Sequence, residues 1–156
     1  DCQALWQARK TVISSGMLFP LSLAQHIGGF REDYFIDSVD HEFCLRARAH
    51  NFQIVMSCEP LMDHSIGNAL TYSSRWLRNF MPYDHAPQRK YYMMRNTLRT
   101  IGMYWRQEPL WCLRQLIRLN VEFATAALFE GQRREKLAAC VAGTRHALQG
   151  RTGQMP

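Results

Sequence analysis

The sequence has few cysteines, no paired-cysteine motif and no long apolar run. Its five cysteines, Cys2, Cys44, Cys58, Cys112 and Cys140, are odd in number and include no CxxC pair. That argues against a disulfide framework or a zinc knuckle and for a reducing, cytoplasmic setting. No stretch stays apolar long enough to span a bilayer. The start, Asp1-Cys2-Gln3, lacks the basic and apolar regions of a signal peptide. It also lacks an initiator Met, so a piece of a longer chain is expected. Internal repeats and low-complexity tracts are missing. No RNP, KH or zinc-finger pattern occurs, which argues against nucleic acid as a partner.

What is present is a chain of 156 residues, 47% hydrophobic, enough for one domain with a real core. The formal net charge of +6 favours acidic partners: phosphates, nucleic acid or an anionic membrane surface. Character changes between Pro82 and Pro87. Ahead of it lie short β-like runs and tight turns; after it the pattern is helical and basic. Thr11–Pro20 reads as an extended segment interrupted at Ser14-Ser15-Gly16. Leu21–Ile27 reads as a short helix ended by Gly28-Gly29. A second helix is expected from about Val39 to His50, capped by Asp37 with Asp40 in a box-like arrangement, and leaving through a left-handed Asn51. Gln53–Met56 and Leu61–His64 read as strands. Three more helices are expected: about Gln88–Trp105, Pro109–Glu130 and Gln132–Leu148.

The stretch GGFREDYFIDSVDHEFCLRAR, Gly28 to Arg48, puts Asp37, Asp40 and Glu42 near one helix N-terminus. Unpaired backbone N–H groups there favour negative charge. A carboxylate fixed in that position suits a general base. Taken alone, the same residues also read as ordinary helix-start acids, with Glu42 and Arg46 an i,i+4 pair. His64 closes a short apolar run, where a lone histidine is more often structural than a metal ligand. Arg95, in RKYYMMRN, offers a planar fork to phosphate oxygens, or belongs with Arg89 and Lys90 to a solvated helix face. Trp105, Trp111, Leu113, Leu116, Ile117 and Leu119, mixed with Arg106, Arg114 and Arg118, suit a helix lying on an anionic membrane, or a helix packing its apolar face inward.

The ordered set SSGMLFP, GGFREDYFIDSVDHEFCLRAR and LMDHSIG resembles the inverting family-two glycosyltransferases of the GT-A fold. It looks most like the bacterial rhamnosyltransferases that build surface polysaccharides. The later segments RKYYMMRNTLR and FEGQRREKLAACVAGTRHALQGRTG resemble the tail of the same group. The resemblance implies an α/β fragment, the C-terminal part of a GT-A enzyme, with a few short strands and a predominantly helical second half. Residues 1–82 would be the acceptor side of the catalytic domain, and 83–156 a basic helical extension packed on it. Asp40, in Asp40-His41-Glu42, would be the general base of the D-x-E motif, with Asp37 and Glu42 supporting it or touching the acceptor. Arg95 would meet a diphosphate. His64 would complete a Mg2+ or Mn2+ site in the full-length enzyme. The implied partners are a nucleotide-sugar donor, a glycan or lipid-linked acceptor and a membrane surface, with the enzyme peripheral at the inner face of the cytoplasmic membrane. The sequence departs from the group in having no Asp-x-Asp. The donor-binding half and most metal ligands are therefore expected elsewhere, and the fragment alone should hold no metal tightly.

Overall fold

The structure is a computed structural model that describes residues 5–63 and 85–155. The chain divides into two units, Asp1–His64 and Ser65–Pro156. The domain boundary expected at 82/83 lies outside the described residues.

In the first unit, strand β1 (Trp6–Arg9) pairs antiparallel with β2 (Ile54–Ser57), placing Trp6 opposite Ser57 and Arg9 opposite Ile54. β1 has little sequence signal, because the apolar–polar alternation of WQAR is only four residues long and all four residues are exposed. Leu61–Asp63 form no strand, against expectation, and His64 lies outside the described residues. The extended segment turns where Met17 N–H reaches the Ser14 carbonyl at 3.1 Å, with Gly16 left-handed at φ 73°. Helix α1 (Leu21–Ile27) ends at left-handed Gly28, φ 88°, as the Gly-Gly pair predicts. Helix α2 (Val39–Ala49) leaves through Asn51 at φ 65°.

The core of this unit follows from helical spacing. Leu23 and Ile27 of α1, four apart, meet Phe43 and Ala47 of α2, also four apart. Phe19 and Phe30 close over Phe43, with ring centroids 4.9 and 4.5 Å away. Arg46 then ties the two helices together. Its Nη1 donates to the Ile27 carbonyl at 2.7 Å, and its Nη2 to Gly29 at 2.6 Å and to Glu42 at 2.9 Å. One guanidinium thus satisfies carbonyls left open at the C-terminal end of α1.

The second unit has three helices: α3 (Pro87–Tyr104), α4 (Pro109–Leu128) and α5 (Arg133–Leu148). Prolines in the first turns of α3 and α4 start them where expected. α3 packs chiefly on α5, and Gly143 makes that approach possible, since a Cβ there would overlap the Tyr91 carbonyl oxygen. A buried ion network joins the three helices. Lys90 Nζ lies 2.8 Å from Glu122 and 2.7 Å from Glu130, and Lys136 Nζ lies 2.8 Å from the other Glu130 oxygen. Lys90 therefore does not sit on a solvated face, as its basic neighbourhood had implied.

Cys44, Cys112 and Cys140 are free and buried. Cys58 is disulfide-bonded. An odd cysteine count forbids complete pairing but leaves room for one bridge, and the free, buried thiols form no disulfide framework among the described residues. Among the described residues no helix is long and apolar enough to cross a membrane.

Candidate functional site

The acidic start of α2 is built on unusual backbone. Ile36 N–H reaches the Tyr34 carbonyl at 2.8 Å across Phe35, whose φ of 64° and ψ of −59° form a γ-turn of the rarer, strained kind. Asp37 and Ser38 follow, both at φ 62°. Three non-glycine residues with positive φ within four positions are costly, and such strain persists only where the surroundings over-determine it. Those surroundings are visible on the upstream side. Arg31 grips Asp33 through two bonds of 2.8 and 2.6 Å and lies over the Tyr34 ring. Tyr34 itself is fully buried.

The helix starts at Val39, as expected, but the turn shifts its cap by one residue. The N-cap is Ser38, not Asp37, which is a correction to the capping expectation. Ser38 makes no side-chain cap bond, because its left-handed backbone differs from the extended conformation that aims an N-cap oxygen at the first turn. Asp40 takes over that work. Its Oδ1 accepts the His41 N–H at 2.8 Å, and its Oδ2 accepts the Ser14 N–H at 3.1 Å. One carboxylate thereby pins the Ser14–Met17 turn to the first turn of α2. The Cys44 thiol, one helical turn on, reaches the Val12 carbonyl at 3.8 Å and fastens the same segment. Burial, the largest influence on that thiol, raises its pKa.

The Asp40 side chain remains 21% exposed, so its orientation is fixed while the group stays reachable. Glu42 differs: it is buried and turned to Arg46. Its observed contact is structural, joining α2 to the end of α1. Asp37, Asp40 and Glu42 are thus gathered at one helix start, with Asp40 carrying the loop contact.

Two further site residues were expected, His64 and Arg95. His64 lies outside the described residues. Arg95 belongs to the second unit and is fully buried, not part of a solvated face. Its guanidinium lies over Tyr92 and Tyr91, 5.0 and 5.4 Å from the ring centroids. Its Nε donates to Asn96 at 2.9 Å and its Nη1 to the Gly153 carbonyl at 2.6 Å. These contacts hold the guanidinium inside the second unit. The signal for the aromatic setting was present, since Tyr91 and Tyr92 stand four and three residues before Arg95. Among the described residues no three His, Cys, Asp or Glu side chains group as a metal site. With no Asp-x-Asp in the sequence, the described residues do not fit a divalent cation.

Comparison with known proteins adds one relationship. The chain is 33% identical over 84 residues to the dTDP-rhamnosyl transferase RfbF of Shigella flexneri. The matched region is 54% of this chain and 27% of that protein, so it spans just over a quarter of the relative's length. The similarity points to a glycosyltransferase relationship. No protein-family profile matches the chain, and no solved structure matches it.

Proposed function

We propose that this chain is the acceptor-side part of an inverting, nucleotide-sugar-dependent glycosyltransferase of the GT-A fold, with Asp40 as its general base. The observation that carries the reading is the Asp40 carboxylate. It is fixed by two backbone N–H groups, partly exposed, and set in the first turn of a helix that follows a strained turn. The likeness to a rhamnosyl transferase supports the same reading and makes rhamnose the proposed sugar.

In the proposed reaction an acceptor hydroxyl of a glycan or lipid-linked acceptor attacks the anomeric carbon. Asp40 takes its proton as the new C–O bond forms. The bond from the anomeric carbon to the diphosphate breaks on the opposite face, and the nucleoside diphosphate leaves with the electron pair. Configuration inverts. The backbone donors to Asp40 fix where the proton is received, and each carboxylate oxygen keeps a further lone pair to receive it. On this reading the donor site lies outside this chain. So do the carboxylate ligands of the Mg2+ or Mn2+ expected in the whole enzyme, with His64 as their proposed companion.

The test is Asp40→Asn in the full-length protein. The amide keeps an oxygen that can accept one N–H, yet cannot take the proton. Sugar transfer is expected to fall by at least about a hundredfold, the range of general-base catalysis. The thermal midpoint and donor affinity should change little. Near-normal turnover would remove Asp40 from the role.

A further inference from the structure

The exposed side of α4 carries apolar residues along nearly its whole length. Leu110, Leu113, Ile117 and Leu128 are each about half exposed or more. Ala124 is exposed and Val121 half-buried between them. At 100° per residue these six fall within an arc of about 80° and form a stripe about 27 Å long. The opposite face of the helix, with Trp111, Cys112, Leu119 and Ala126, supplies the buried contacts. α4 is therefore apolar on two sides, and the core accounts for only one.

Charge decides what suits the outer side. Arg114 and Arg118 are exposed along one flank of the stripe. The only acid of α4, Glu122, is turned to Lys90, and the flanking Glu108 and Glu130 are buried. The outward side of α4 is thus apolar and positive with no exposed acid. A second copy would bring its own Arg114 and Arg118 to the same face, with no carboxylate to offset them. An anionic bilayer meets both properties: acyl chains take the leucines, and lipid phosphates take the arginines.

We infer that the Leu110–Leu128 stripe with Arg114 and Arg118 is a docking face for an anionic membrane surface, on which α4 lies in the interface plane. This inference is independent of the sugar-transfer reading, since neither donor nor acceptor enters its test. The lipid phosphates also place no demand on Arg95, whose guanidinium is used internally.

The experiment is co-sedimentation of the purified full chain with vesicles. One set is phosphatidylcholine alone; the other contains about one-third phosphatidylglycerol, each at low and high salt. Binding is expected only to the anionic set, and weaker in salt. The R114Q/R118Q variant should partition about thirtyfold less. The R133Q/R134Q variant, which removes the same charge from the start of α5, should partition nearly normally. L113E/I117E should abolish binding while keeping the native circular dichroism and melting midpoint, because both side chains are exposed. Absence of binding to the anionic vesicles would overturn the inference, as would equal losses in the two arginine pairs. So would an L113E/I117E variant that still binds. If the native chain instead self-associates, and L113E/I117E abolishes that association without affecting vesicle binding, the stripe is a protein interface and the proposal fails.

Discussion

Individual charges in this protein do work that their neighbours in sequence do not announce. Lys90 and Arg95 stand in a basic run that reads as a solvated face, yet both are buried. Their partners explain why this was not legible. Lys90 meets Glu122 and Glu130, 32 and 40 residues away, and Arg95 meets the Gly153 carbonyl 58 residues away. Helical spacing reveals a partner three or four residues off, as it did for Glu42 and Arg46, but says nothing about these. Asp40 was legible as a helix-start acid, whereas its bond to Ser14 crosses 26 residues and required the fold. The most consequential of the buried charges is Glu130. Its two oxygens face Lys90 and Lys136, and all three side chains are 2% exposed or less. Removing it leaves two buried ammonium groups in a poorly hydrated place. Glu130→Ala is expected to destabilise the second unit by about 3–5 kcal/mol, read from urea unfolding. A loss under about 1 kcal/mol would show that water replaces the carboxylate at no great cost.

Elements were read more securely than single contacts wherever punctuation and period agreed. α3, α4 and α5 lie within two residues of their expected bounds, because proline opens α3 and α4, an apolar period runs through both, and Gly131 and Gly150 bracket α5. The strands were harder, since four residues are too few for alternation to stand out, and neither strand has one face buried to enforce it. How closely helices approach one another is a property of pairs, and glycine shows this best. Gly102 in α3 has open space where a Cβ would stand, whereas at Gly143 in α5 a Cβ would strike the backbone of Tyr91. The same substitution should therefore have opposite signs. Gly102→Ala is expected to stabilise by up to about 1 kcal/mol through helix propensity and a less flexible unfolded chain. Gly143→Ala should cost about 1–3 kcal/mol, because α3 and α5 must separate and the propensity gain does not offset the lost packing. Thermal melts of the two variants decide it; a shared sign would mean that the helices slide apart freely.

At the scale of the whole molecule, the buried titratable groups set one edge of the stability range. Burial lowers the Lys90 pKa, but Glu122 and Glu130 outweigh it and the net direction is upward. Burial pushes the Cys140 thiol up to about 11 from an ordinary 9.0, and raises Cys44 in the first unit as well. All three groups hold their proton more tightly folded than unfolded. Between the unfolded and folded values the native state binds more protons, so stability falls as pH rises. Their contribution is complete below about pH 9 and lost as pH climbs through the folded values. For Cys140 the shift corresponds to a loss on the order of 2 kcal/mol over that window. Melting midpoints should accordingly hold steady from neutral pH to about pH 9 and then decline. Cys140→Ala lowers stability at neutral pH by opening a small void, yet removes one titrating group. Its midpoint should therefore decline less steeply above pH 9 than that of the native chain. An unchanged alkaline slope in Cys140→Ala would leave the decline to Cys44 and the Lys90 network, and Lys90→Met, which takes the ammonium out of that network, would separate the two.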